Sequence, residues 1–126
     1  MKTATKIAPP NSLLVVSDLH GGIPPAVTRG PRLWWTPSCI MIGCLSFMDG
    51  ETEVSLGRQE PHGATRPAFD GILDTPSKMV VVSTVEWTPI LSTSVESTKT
   101  RVRIWTNHPT EPDDVWIAVG LTVGET

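Results

Sequence analysis

Residues 100–105 read Thr100-Arg101-Val102-Arg103-Ile104-Trp105, a strict alternation of two kinds of side chain. Successive side chains of a β-strand point to opposite faces. Val102 and Ile104 therefore share one face, and Arg101, Arg103 and Trp105 share the other. The first face asks for a core, the second for water or a partner. The same grammar surrounds this stretch: between residues 79 and 119, short β-branched runs recur between turn residues with almost no helical periodicity. Val115, Ile117 and Val119 repeat the inward set with Trp116 opposite them. Met79 to Val85 is apolar on both faces, as a central strand is.

Working outward, Leu13 to Val16 reads as a first strand, and residues 1–12 as a loose leader ending at Pro9-Pro10. Cys39 to Met48 is apolar apart from Gly43 and Ser46, matching a strand covered on both sides. Asp49-Gly50 is a hairpin signal, and Thr52 to Leu56 alternates as the antiparallel return strand, with Val54 and Leu56 inward. Phe69 to Leu73 reads as an edge strand or an extended connection, and Ile90 to Val95 as a continuation of the 79–85 run after a bend at Pro89. Twelve prolines and ten glycines interrupt the 126 residues too often for long helices but suit short strands. About seven strands then imply an all-β fold, an antiparallel β-sandwich or flattened barrel. One domain over residues 13–126 is expected from this length.

With 39% hydrophobic and 18% charged residues, the chain is globular in composition. Its net charge of -3 offers no general attraction to a phosphate backbone, so nucleic acid is not expected as a partner. Residues 1–12 lack the apolar stretch of a signal peptide, and no segment approaches the roughly 20 apolar residues of a membrane span. A soluble cytoplasmic protein is the expectation. Cys39 and Cys44, five positions apart on one apolar run, project to opposite faces, which disfavours a disulfide and predicts two reduced, buried thiols.

Several stretches are candidates for chemistry. Leu13 to Gly21, with Asp18 and His20, resembles the first strand and Asp-x-His ligands of the calcineurin-like metallophosphoesterases. That chemistry needs two metals about 4 Å apart and further carboxylate, Asn and His ligands. The chain has no Gly-Asp pair followed by the bridging Asp, and Asn107-His108-Pro109 is only a distant match to the Asn-His element. Asp18 then simply ends a strand, with His20 in a loop. His20, His62 and His108 lie in three separate loops without the paired spacing of zinc ligands. The apolar flanks of Cys39 and Cys44 predict inert thiols. No serine sits in a Gly-x-Ser-x-Gly turn. No catalytic residue, metal or cofactor is expected on these grounds. The Gly- and Pro-rich segment from Asp18 to Arg32 is a long loop of functional length, and a small-molecule pocket capped by it is one reading of the chain. Trp35-Thr36-Pro37 recurs as Trp87-Thr88-Pro89, at what the pattern marks as strand boundaries, which chance or shared turn chemistry accounts for better than a duplicated half-domain.

Five tryptophans stand against two phenylalanines and no tyrosine. If the 100–105 and 115–119 strands are neighbours, Arg101, Arg103, Trp105 and Trp116 form a patch of the composition found at protein contacts, provided no other part of the chain covers it. Glu111, Asp113 and Asp114 form an acidic loop beside it, suited to basic residues on a partner. These seven residues are the expected partner-binding set.

Ala68-Phe69-Asp70-Gly71-Ile72-Leu73, Thr75-Pro76-Ser77, Thr100 to Ile104 and Pro112-Asp113-Asp114-Val115-Trp116-Ile117 together resemble the C-terminal half of small bacterial proteins of the competence protein J type. The resemblance spans residues 68–119. It implies a β-sandwich that binds and inhibits a nuclease, and it assigns no site residue. The expected function is accordingly a non-enzymatic protein-binding module, of inhibitor or immunity type, whose partner is a nuclease or toxin. No residue decides the oligomeric state.

Overall fold

The computed structural model describes residues 3–28 and 32–120. Parts of the expected leader (residues 1–2), of the 18–32 loop (29–31) and of the C-terminal end of the domain (121–126) lie outside the described residues. Among the described residues, ten strands form two five-stranded sheets. The first sheet holds β1 (Thr3–Ile7), β5 (Thr52–Gly57), β10 (Asp114–Val119), β9 (Lys99–Thr106) and β6 (Phe69–Asp74), in the order β1-β5-β10-β9-β6. The second holds β3 (Leu33–Thr36), β4 (Cys39–Gly43), β2 (Leu13–Asp18), β7 (Met79–Ser83) and β8 (Pro89–Ser94), in the order β3-β4-β2-β7-β8. All pairings are antiparallel except β5 with β10, which is parallel. No helix among the described residues is long and apolar enough to cross a membrane.

The alternation read from β9 and β10 sets the core. Val102, Ile104, Val115, Ile117 and Val119 are all fully buried between the sheets, together with Val54 and Leu56 of β5 and Leu14, Val16, Val80 and Val82 of the second sheet. Ile104 lies directly opposite Ile117 on one side and Phe69 on the other. β6 forms the edge beyond β9, the first of the two readings its sequence allowed.

Four expectations are corrected. Residues 3–7 are not a leader: Thr3 to Ile7 pair with Leu56 to Thr52 as the far edge of the first sheet. The apolar 39–48 run does not pair with Thr52–Leu56. Its strand ends at Gly43, and the chain crosses to the other sheet, held by Cys44 N–H to the Ser12 carbonyl and Leu45 N–H to the Pro112 carbonyl, both at 2.8 Å. Residues 90–95 do not extend β7 but fold back on it as a hairpin, closed by Trp87 N–H to the Thr84 carbonyl at 2.9 Å. The short β3, carrying Trp34 and Trp35, pairs with β4 and brings the described strands to ten rather than about seven. Only β1 and the 39–48 run depend on distant sequence, since β3 and β8 pair with the strand next to them in the chain across short turns.

Candidate functional site

The outer face of the first sheet gathers four of the expected partner-binding residues. β9 and β10 are neighbours, and Trp105 sits directly across from Trp116. The patch is not open, however. Residues 58–68 fold over it because buried indole N–H groups need acceptors: Trp105 Nε1–H donates to the Thr65 carbonyl and Trp116 Nε1–H to the Gln59 carbonyl, each at 2.8 Å. Trp105 is buried and Trp116 partly so. Arg103 is also buried, its guanidinium 5.3 Å above the Trp105 ring and Nη1 3.6 Å from Glu60. Arg101 forms a two-point ion pair with Asp70, Nε to Oδ1 at 3.0 Å and Nη2 to Oδ2 at 2.9 Å. Arg103 and Trp105 are thus corrected from exposed contact residues to the anchor of the 58–68 loop.

Arg103 retains a buried Nε and Nη2 with no hydrogen-bond partner among the described residues. Replacing an incompletely paired buried charge by an apolar side chain of similar length is often neutral or stabilising. Arg103→Met should therefore leave the melting temperature unchanged or raise it. A fall of more than about 5 °C, equivalent to roughly 1 kcal/mol in a domain of this size, would show that the guanidinium supports the fold.

The acidic residues assemble elsewhere. Glu53 N–H donates to the Asp113 carbonyl at 2.8 Å, and Leu45 N–H to that of Pro112, which clamps the 44–51 crossover against the 107–113 loop. Asn107 shapes the latter: its Oδ1 accepts from the Asp113 and Asp114 N–H groups, and its Nδ2 donates to the Asp113 carboxylate at 2.6 Å. The His108 ring accepts from Glu111 N–H at 3.0 Å. One end of the sandwich thereby presents Asp49, Glu51, Glu53, Glu111, Asp113 and Asp114, while segments 44–53 and 107–114 contain no Lys or Arg. Lys6 of β1 stands opposite Glu53 in register. Asp49, Glu51, Glu111 and Asp113 are exposed, and Phe47 and Met48 project beside them, 51% and 81% exposed. Exposed apolar side chains carried on one of two acidic loops that are bonded to each other suit a protein contact, with apolar anchors and charges that orient the encounter. The signal was present as Phe47-Met48-Asp49-Gly50-Glu51, but those residues read as strand end and hairpin turn.

The Asp18 carboxylate is taken up by donors of the chain itself. Asp18 Oδ1 accepts Ser77 N–H at 2.8 Å, while Oδ2 accepts the Ser77 hydroxyl at 2.8 Å and His20 N–H at 3.1 Å. Burial pushes the Asp18 carboxyl upward, yet these hydrogen bonds outweigh it and hold its pKa below the ordinary value. Among the described residues no three His, Cys, Asp or Glu side chains converge. Cys39 and Cys44 are free and buried. Burial raises the Cys39 thiol to about 11 and that of Cys44 to about 12, the latter against a smaller opposing influence from Arg32. Neither is a thiolate at neutral pH.

No protein-family model and no curated protein matches the chain. Among solved structures it is similar to ComJ from Bacillus subtilis, described as an inhibitor of the DNA degrading activity of NucA, with a TM-score of 0.62 and 7% identity over 95% of this chain and 94% of that one. It is also similar to the crocagin biosynthetic gene J product, with a TM-score of 0.50 and 11% identity over 94% of each chain. At such identities the likeness is one of fold. The competence protein J resemblance read from residues 68–119 thus extends, in fold, over nearly the whole chain.

Proposed function

We propose that this chain is a non-enzymatic, protein-binding inhibitor that docks its acidic end onto the basic active-site cleft of a nuclease. The observation that carries the reading is the clamped pair of loops, 44–51 and 107–113, which holds Asp49, Glu51, Glu111 and Asp113 at one end of the sandwich together with exposed Phe47 and Met48, with Glu53 and Asp114 next to them in sequence. Carboxylates on a rigid loop substitute for the phosphates such a cleft is built to attract, and their field speeds encounter. Phe47 and Met48 would supply the slow-dissociating apolar contact. The fold shared with ComJ, whose described role is inhibition of DNA degradation, supports the same assignment. Of the seven partner-binding residues expected from sequence, Glu111, Asp113 and Asp114 stay in this surface, and Arg101, Arg103, Trp105 and Trp116 leave it.

The test is affinity capture from lysate of the source cell, with the wild-type chain and a Glu111→Lys/Asp113→Lys variant as parallel baits. The wild type should retain a stoichiometric nuclease whose DNA cleavage falls as the chain is titrated in. The variant should associate about 10- to 1,000-fold more slowly at low salt, with the difference shrinking as salt is raised. Equal capture by both baits, or a captured protein whose activity the chain leaves untouched, would overturn the reading.

A further inference from the structure

The outer face of the second sheet carries a half-open trough of about 590 Å³ that the inhibitory surface does not use. Its floor is built by β-strand alternation: Ser17 lies opposite Val81, and these two and Ser83 are directed away from the main core. Ser17, Val81 and Ser83 are buried nonetheless, because two walls rise over them. One wall is the Leu19–Pro24 segment. It is turned back by Gly21 N–H to the Asp18 carbonyl at 2.9 Å, and Gly22 approaches the Ser38 backbone so closely that no Cβ would fit. The other wall is Trp87, with Pro89 and Ser92 beside it.

Trp87 is held at φ 63, the left-handed region, by the 84–88 turn. That conformation costs a bulky residue on the order of 1–3 kcal/mol, and such strain concentrates at functional sites. The indole leans over Gly21, near enough that a Cβ there would sit 3.6 Å from the ring, yet it remains 42% exposed. Leu19 is half exposed on the same rim.

The lining chemistry narrows the occupant. No Lys or Arg lines the trough, so an anion meets no counter-charge. Its one carboxylate, Asp18, is engaged by Ser77 and the His20 N–H. The Ser83 side chain, 3% exposed, makes no hydrogen bond among the described residues and faces the trough, while Ser17 already donates to the Asp18 carbonyl and keeps lone pairs free. A wholly apolar ligand would desolvate these hydroxyls without replacing their hydrogen bonds, at a penalty. An uncharged ring with one C–H face and hydroxyls around its rim meets both demands, and the volume lies within the usual range for small-molecule sites. We propose that the trough is a binding site for a neutral sugar, its apolar face against Trp87 and its hydroxyls toward Ser83, Ser92 and His20.

The test is saturation-transfer NMR on the full chain with methyl α-glucoside, N-acetylglucosamine and maltose, each titrated to about 100 mM, a range that covers millimolar dissociation constants. At least one should bind saturably and perturb the Trp87 indole. Trp87→Gly removes the ring while suiting the left-handed backbone, so it should fold at least as well as the wild type and bind at least 10-fold more weakly. Ser83→Ala should weaken binding several-fold. Absence of saturable binding by all three sugars would overturn the proposal. So would undiminished binding by a folded Trp87→Gly variant, or occupancy of the trough by a capped tetraproline peptide in preference to them.

Discussion

Ile104→Ala should lower the free energy of unfolding by about 3 kcal/mol, within the range of about 2–5 kcal/mol for Ile-to-Ala changes at fully buried sites. The side chain is completely buried between Ile117, Phe69 and the facing sheet, so removing it opens a cavity that strands on both sides are too constrained to fill. Arg101→Ala, three residues earlier on the same strand but on its other face, breaks only a partly exposed ion pair with Asp70 and should cost about 1 kcal/mol or less. Urea unfolding of the two variants beside the wild type measures the contrast. The midpoint should move strongly for Ile104→Ala and little for Arg101→Ala, with the denaturant slope unchanged. Comparable losses in the two would contradict the assignment of faces on which the fold rests.

The second large effect centres on Asp18. Its carboxylate joins the end of β2 to Ser77, fifty-nine positions away, and also holds the turn at His20. Asp18→Ala leaves the Ser77 N–H without its acceptor in a partly buried setting and should cost on the order of 2 kcal/mol. The linkage to pH has a definite sign. The folded carboxyl titrates below the ordinary value of 3.8, so the native state favours the ionised form. The stabilisation is complete above that ordinary value and is lost as pH falls through it and then through the lower folded value. Asp18→Asn abolishes this component. The stability difference between wild type and Asp18→Asn should therefore be constant from pH 7 down to about 5 and shrink steadily toward pH 2. A difference that widened on acidification, or did not change, would mean that the carboxylate is not held ionised by Ser77 and His20.

Much of this was legible in the chain. The inward set Val54, Leu56, Val102, Ile104, Val115, Ile117 and Val119 follows from alternation, and all of it is buried. The opposed settings of Cys39 and Cys44 also followed. The candidate site was half legible. Glu111, Asp113 and Asp114 stand out in a turn-rich loop, whereas Phe47 and Met48 look like the tail of an apolar strand until Cys44 and Leu45 are seen bonded to Ser12 and Pro112. Trp105 was placed on the correct face of β9, but whether that face lay open or covered was not legible, because nothing local says that Thr65 supplies its acceptor.

By itself the sequence determined which side of each strand is apolar, since side-chain direction in an extended chain has a period of two and needs no knowledge of neighbours. It determined the all-β class for the same reason, together with the spacing of proline and glycine. The tertiary structure alone decided sheet membership, the parallel pairing of β5 with β10, the covering of the Arg103–Trp105 face and the joining of two acidic loops into one surface. Those depend on which distant segments satisfy one another's hydrogen bonds and apolar faces, a competition among all strands at once that no local stretch records.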